Sequence, residues 1–217
     1  MRLGVERLDP ARHARSDFAC GEASLDRYLQ QQATQHHRDG ISTTHVLLDQ
    51  LLLDTGTTTP IPILGYYTLA AAQLQLSDLA PEDQRRLPRY PVPAVRMARL
   101  AVTHAEQGKG HGEMLLAHAV ARCLGMREEL GVCVLLVDAL HAQAASFYVG
   151  YGFRPTASDA LTLYLPLLRH GSQRDAQDHR TLPPGEPAQR RQRGLERHVH
   201  PVRPARHRSG HDPGAGE

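Results

Sequence analysis

Three glycines alternate with other residues across QGKGHG, Gln107 to Gly112, and a helix-like stretch follows. Glycine has no Cβ, so a backbone N–H beside it can approach an anion closely. A helix N-terminus adds unpaired donors and the positive end of a dipole. Together these features form a phosphate site. A Walker loop needs Ser or Thr after Gly-Lys, but Gly110 follows Lys109. A dinucleotide fingerprint needs a third glycine where Glu113 or Leu115 stands. The pattern that remains is Q-x-x-G-x-G, carried by Gln107, Gly110 and Gly112. Taken alone, it also suits a flexible turn that binds nothing.

Other chemistry-bearing residues are less well placed. His104 and Glu106 flank the loop and are of the types that act as general bases, but they read as solvated connection residues. Asp138 and His141 look like two-thirds of a nucleophilic triad. No motif supplies the nucleophile, because Ser146 sits inside a short helix, and Cys123 and Cys133 fall on an apolar helix stripe and at the start of a buried strand. A hydrolase is therefore disfavoured. No metal is expected. The pair His198 and His200 belongs to an incidental His-rich tract.

The elements that must position the loop can be read from periodicity. Leu3–Leu8 reads as a strand, and Glu22–His37 as a helix with Leu25, Tyr28, Leu29 and Ala33 at helical spacing. Thr43–Leu53 and Ile61–Leu76 read as two long strands of a hairpin around the turn cluster DTGTTTP. SDLAPEDQRRLPRYPVP is a long polar connection rich in Pro and Arg. Ala94–Val102 is a strand, and Gly110 to about Leu124 a helix with Leu116, Ala119, Val120, Cys123 and Leu124 on one stripe. Val132–Ala139 is a buried strand, Ala142–Val149 a short helix, and Leu161–Leu167 a last strand. The expected class is α/β or α+β.

Composition bounds the rest. Apolar residues make up 41% of 217, enough for a sizeable core, and the net charge is only +2. Lys109 is the only lysine, so nearly all cations are Arg. No apolar run approaches the ~18 residues of a membrane span, and the N-terminus lacks the apolar core of a secretory signal. Three cysteines without a CxxC pair point to reduced thiols and a cytoplasmic protein. Composition changes near His170. From Gly171 to Glu217 there is no Phe or Tyr and much Pro, Gly, Arg and His. Such a segment cannot bury enough apolar surface to offset its ordering entropy. The expected organisation is a domain over 1–169 and a disordered basic tail over 170–217.

One strand beyond the loop helix stands VDALHAQAASFYVGYGF. At this point the chain resembles the GNAT acyltransferase superfamily from Leu3 to about Leu167. The resemblance rests on RLAV followed by Q-x-x-G-x-G, and on Ala144, Ala145, Phe147, Tyr148 and then Gly152-Phe153. It is closer to the toxin branch of type II toxin–antitoxin modules. The N-terminal pattern F-x-C-G-x-x-x-L-D-x-Y-L of that branch stands here as Phe18, Cys20, Gly21, Leu25, Asp26, Tyr28 and Leu29. LGYYTLAAAQL and P-x-P-A-V-x-M-A-R-L-A-V are also similar to that branch. Its members usually end soon after the last strand, so the segment after His170 departs from the pattern.

The resemblance implies a mixed, mostly antiparallel central sheet, flanked by helices and splayed between two central strands. It implies that the amides of Gln107, Gly108, Lys109, Gly110, His111 and Gly112 hold the pyrophosphate of acetyl-CoA. Leu100, Ala101 and Val102 would pair with the pantetheine arm, and Val102 or its neighbours would offer an N–H to the carbonyl oxygen. Tyr148 would be the acid that protonates the departing thiolate, although a core tyrosine packed with Phe147 and Phe153 fits the same position. The implied reaction acetylates the α-amino group of an aminoacyl-tRNA and stops translation. The partners would be charged tRNA, a second copy of the chain and a ribbon-helix-helix DNA-binding antitoxin. The alternatives are a GNAT enzyme acting on a small amine or a protein N-terminus, and a binding module without catalysis.

A nucleic-acid substrate needs cations that neutralise phosphates. Arg85, Arg86 and Arg89 in the connection, and Arg96 and Arg99 on the strand, are the candidates. Strand alternation puts Arg96 and Arg99 on opposite faces unless a bulge intervenes. Arg99 matches the R-L-A-V of the family.

Overall fold

Two long central strands, with apolar clusters packed on both of their faces, organise the molecule. The computed structural model describes residues 1–54, 60–85, 87, 89 and 91–167. Arg86 and the segment over 170–217, expected to be a disordered tail, lie outside the described residues. The chain opens with β1 (Leu3–Arg7) and a two-residue β2 (His13–Ala14). The first helical stretch is α1 (Ala23–Arg27), a π turn (Tyr28–Gln32) and α2 (Ala33–Arg38). Next come β3 (Thr43–Asp49), α3 (Gln50–Asp54), β4 (Ile61–Pro62), β5 (Gly65–Leu74) and α4 (Pro81–Gln84). The second half is β6 (Val92–Val102), α5 (His111–Leu130), β7 (Val134–Asp138), α6 (Ala142–Gly150), β8 (Arg154–Pro155) and β9 (Thr162–Pro166).

Seven strands form one sheet in the order β1-β3-β5-β6-β7-β9-β8. Every neighbouring pair is antiparallel except β6 and β7, which run parallel. The fold is thus the mixed, mostly antiparallel sheet flanked by helices that the sequence implies. Pairing of β6 with β7 covers only Ala94–Met97 against Val134–Val137, while β6 pairs with β5 as far as Val102. The last part of β6 therefore has a strand on one edge only, which is the expected splay.

One face of the sheet packs under α5 and α6. Leu115, Leu116, Ala119 and Cys123 meet Tyr67, Met97, Leu135 and Val137 there. The other face carries Tyr66 and Ala101 against Tyr28, Leu29 and Ala33.

Several sequence readings change, among them the strand expected over Ile61–Leu76, which is divided into β4, paired with β2 in a separate small sheet, and β5. The loop helix runs six residues past Leu124, to Leu130. The helix passes through Gly125 and ends at Gly131, whose φ of 71° makes the left-handed cap. Leu115 joins the buried stripe, and Leu124 is 43% exposed. The strand expected over Thr43–Leu53 ends at Asp49, because the Asp49 carboxylate accepts the Leu51 N–H at 3.1 Å and starts α3. Lastly, Thr68 faces Arg99 while Leu69 faces Met97, so Ala98 is an extra, unpaired residue. That bulge puts Arg96 and Arg99 on the same face of the sheet, where simple alternation puts them on opposite ones.

Gly65 lets β5 lie close to the end of β6. A Cβ at Gly65 would sit 2.9 Å from the Ala101 carbonyl oxygen and 2.9 Å from Leu115 Cδ1. At an uncrowded strand position, Gly→Ala stabilises by restricting the unfolded chain. Here the backbone oxygen cannot move without shifting β6. Gly65→Ala is expected to destabilise by about 1–3 kcal/mol, read as a lower urea midpoint with unchanged slope. A raised midpoint would show that the close approach is not a constraint.

Candidate active site

From Val102 the chain turns through a short 3₁₀ segment, His104–Glu106, into the loop that opens α5. Gly108 and Gly110 have φ of 76° and 80°, which a residue with a Cβ rarely adopts. Nothing lies within 4 Å of where their Cβ atoms would be, so backbone conformation and not crowding demands glycine. Gly110 is the N-cap and has no side chain to cap the helix. The first intrahelical bond runs from the Met114 N–H to the Gly110 carbonyl at 3.1 Å. The amides of residues 111–113 thus have no partner inside the helix. Their donors and the helix dipole together suit an anion.

Side chains brace the loop from below. The Lys109 ammonium meets Glu106 at 2.9 Å, and His111 Nε2 meets the other Glu106 oxygen at 3.1 Å. The Lys109 hydrogen bond, followed by that from His111, holds the Glu106 carboxyl below its ordinary range. Glu106 is thus part of the loop's frame and not the solvated connection residue the sequence suggests. The Gln107 side-chain amide points inward, donating to the Cys20 carbonyl at 2.8 Å and the Val102 carbonyl at 3.1 Å.

The loop roofs a cavity of about 280 Å³. Of the residues singled out by sequence, Val102, Gln107, Gly108, Gly110, His111 and Gly112 line it, joined by Phe147 and Tyr151. Leu100 lies just beneath, its Cδ2 4.0 Å from where a Gly112 Cβ would stand. Ala101 faces the other way, among Tyr66 and Phe18. Two larger cavities, of about 460 and 450 Å³, lie beside His13 and His45 and do not adjoin the loop.

Tyr148 is 7% exposed and shares the apolar cluster of Val102 and Ala139. Its ring meets Phe147 at 5.2 Å and Phe153 at 5.5 Å. Burial pushes its phenol up to about 12, with the Asp138 carboxylate adding to the effect. The group is therefore protonated and available as a donor at any ordinary pH, and it is also well packed. The apparent triad has other duties. Asp138 pairs with Arg96 and accepts from Thr162, while His141 caps α6 by accepting the Ala144 N–H at 3.2 Å.

Arg99 lies with its guanidinium carbon 3.6 Å from the centre of the Tyr28 ring. Tyr28 begins the π turn, a local widening that often marks functional sites. Arg85 and Arg89 are exposed on the connection after α4. That connection is pinned at its start, where Asp83 accepts from the Tyr164 hydroxyl and from Arg154, each at 2.8 Å. Among the described residues no three His, Cys, Asp or Glu side chains converge as a metal site. No helix among them is long and apolar enough to cross a membrane.

Residues 73–155 match the family model of the acetyltransferase (GNAT) domain. A tRNA-acetylating toxin of Mycobacterium tuberculosis is 35% identical over 150 residues, which span 69% of this chain and 84% of that protein. The solved structure of AtaT complexed with acetyl-methionyl-tRNAfMet has a TM-score of 0.68 at 29% identity, covering 76% of this chain and 94% of that one. A mutant of AtaT bound to the C-terminus of the antitoxin AtaR and to acetyl-CoA has a TM-score of 0.62 at 28% identity, covering 77% and 94%. Kinship over this length, on the sheet and glycine loop just described, places the chain in the GNAT acetyltransferase family, in its branch of toxin–antitoxin toxins.

Proposed function

We propose that this chain is an acetyl-CoA-dependent N-acetyltransferase toxin that acetylates the α-amino group of an aminoacyl-tRNA and so blocks translation. The observation that carries the proposal is the left-handed glycine loop with open amides at the start of α5, set beside the splayed end of β6. The tRNA-acetylating activity of one relative and the acetyl-CoA and tRNA bound by the others agree with it.

In this reading the amides of Gly108 to Gly112 hold the pyrophosphate, aided by Lys109. The free edge of β6 at Leu100 to Val102 pairs with the pantetheine arm. The amine nitrogen attacks the thioester carbonyl, a C–N bond forms and the C–S bond breaks. The net proton goes from the amine to the sulfur. A free α-amino group has a pKa of about 7.7–8.0, and the ester of a charged tRNA lowers it, so a neutral nucleophile is available without a strong base. Tyr148, held near 12, is a weaker acid than an ordinary thiol of about 8.5. It therefore donates a hydrogen bond to the developing thiolate and passes its proton only as the amine's proton replaces it.

Arg96, Arg99, Arg85, Arg86 and Arg89 are the proposed phosphate contacts of the tRNA. The Arg96 charge is already answered by Asp138, so Arg99 is the stronger contact on that face. The proposed partners are a ribbon-helix-helix antitoxin and a second copy of the chain. The proposed location is the cytoplasm, where charged tRNA is found.

Two outcomes test this reading. Gly110→Asp places a negative charge at the phosphate end, and Asp tolerates a left-handed backbone better than most residues. Coenzyme A affinity by calorimetry should fall at least about tenfold, because the added carboxylate repels the phosphate and, as an N-cap, can itself accept the open amides, while circular dichroism stays native. Unchanged affinity would remove the loop from the site. Tyr148→Phe keeps the ring and should lower the chemical step ~10²–10⁴-fold with coenzyme A affinity retained. The wild-type rate should not fall as pH rises from about 7 to 9, because burial keeps the phenol protonated up to about 12. Mass spectrometry of nuclease-released aminoacyl-adenosine should show acetyl on charged tRNA and none on uncharged tRNA. Acetyl on polyamines or protein N-termini with charged tRNA untouched would replace this function with a generic acetyltransferase.

A further inference from the structure

The N-terminal motif of Phe18, Cys20, Gly21, Asp26 and Tyr28 has no part in the transfer just described. The structure sets its first half against the cofactor loop. The Ala19 carbonyl accepts the His104 N–H at 2.8 Å and the Thr103 hydroxyl at 3.1 Å. The Cys20 carbonyl accepts from Gln107 Nε2 at 2.8 Å. Cys20 is itself fixed, because its N–H donates to Asp26 Oδ1 at 2.8 Å. Phe18, 2% exposed and edge-on to Tyr66 at 5.3 Å, anchors the segment in the core.

Gln107 is the link between this segment and the loop. Its amide nitrogen carries two hydrogens, and two carbonyls stand within reach of it, Cys20 at 2.8 Å and Val102 at 3.1 Å. With both hydrogens directed inward, the remaining amide oxygen is an acceptor only. An acceptor has nothing to offer a phosphate. Gly108 and Gly110 have no side chains with which to hold the loop, and nothing crowds their Cβ positions. At the upstream end of the loop, Gln107 adds to the Glu106 contacts the one side-chain tie that reaches both β6 and the N-terminal segment.

We infer that Gln107, seated on the Cys20 carbonyl and backed by Asp26, is a positioning residue that sets the glycine loop for the pyrophosphate without itself touching the cofactor. This rests on the reading that the loop binds acetyl-CoA. The N-terminal motif then serves to present one backbone carbonyl, at a fixed place, to a residue 87 positions away in the chain.

Gln107→Met keeps length and volume and removes both donors. The loss of two neutral hydrogen bonds should weaken coenzyme A binding and raise the acetyl-CoA KM about tenfold. The value of kcat at saturating acetyl-CoA should stay within about threefold, since uniform binding is what is lost. Asp26→Ala should weaken binding in the same direction. The double variant should lose less than the sum of the two, because both break one chain of contacts. Gln107→Glu offers a second test. Its carboxylate faces two carbonyls at neutral pH and regains a single donor when protonated. Its affinity relative to wild type should recover as pH falls, and that of Gln107→Met should not. Unchanged affinity in Gln107→Met, or additive losses in the double variant, overturns the inference. Additivity would mean that Gln107 acts on the cofactor directly. A wild-type chain that binds no coenzyme A overturns the acetyl-CoA reading itself, and the inference with it.

Discussion

A strand inside a sheet must satisfy its backbone on both edges. β6 meets this demand along its whole length on the β5 side, apart from the bulge at Ala98, and only over Ala94–Met97 on the β7 side. The unmet stretch, at the splayed end, is where the proposed site lies. A ligand carrying amides of its own can complete the ladder there, as an added strand would. The glycine loop follows directly from that end of β6, so a molecule lying along the strand edge delivers its far end to the start of α5. Gly65 keeps the opposite edge of the same stretch tight against β5, where any Cβ would meet the Ala101 carbonyl. The open edge can be open because the closed one is so closely fixed.

The bulge at Ala98 acts on the same strand. It breaks the alternation between Met97 and Arg99, sending Met97 into the core under α5 and Arg99 to the face that carries Tyr28. Without the extra residue, Arg99 would point at the apolar cluster around Leu115. A charge buried there without a partner would cost far more than the bulge does. Arg99 instead lies over an aromatic ring, a geometry that suits a planar, weakly hydrated guanidinium and leaves its edge donors available. Arg96, on the same face, is tied to the tip of β7 through Asp138. One inserted alanine thus sorts the strand into a core side and a cationic side.

What could be read from the sequence divides along physical lines. The glycine loop is legible because a left-handed backbone has few substitutes for glycine. Strands β6 and β7 are legible because dense Val, Leu and Ala admit little else. The end of α5 is placed too early, at about Leu124, because nothing in residue type separates Gly125 inside the helix from a glycine that caps it. Gly131, six residues on, is the one with positive φ. The bulge leaves no mark, because Ala98 has no residue type that demands it. The role of Glu106 escapes for a similar reason. A carboxylate next to Lys109 and His111 reads as surface charge, and only the turn of the loop folds both side chains onto it. The hydrogen bond from Gln107 to Cys20 joins two motifs that the sequence shows separately. Periodicity has no term for such a contact.

That contact bears on how the two substrates would be handled. The segment that meets the glycine loop through the carbonyls of Ala19 and Cys20 continues into α1 and the π turn, and so to Tyr28 beneath Arg99. The Tyr66 hydroxyl donates to the Leu25 carbonyl at 2.8 Å, tying the middle of the segment to the central strand β5. The donor loop and the proposed acceptor face are therefore both fastened to one short stretch of chain, and that stretch is fastened to the sheet between them. Acyl transfer needs the amine and the thioester held within a few tenths of an ångström of a productive approach. Two sites built on separate flexible loops would have to order both loops for each turnover. Building the two proposed sites on opposite ends of one braced segment would make their separation a property of the fold, so that binding free energy of the proposed tRNA substrate need not be spent on arranging it.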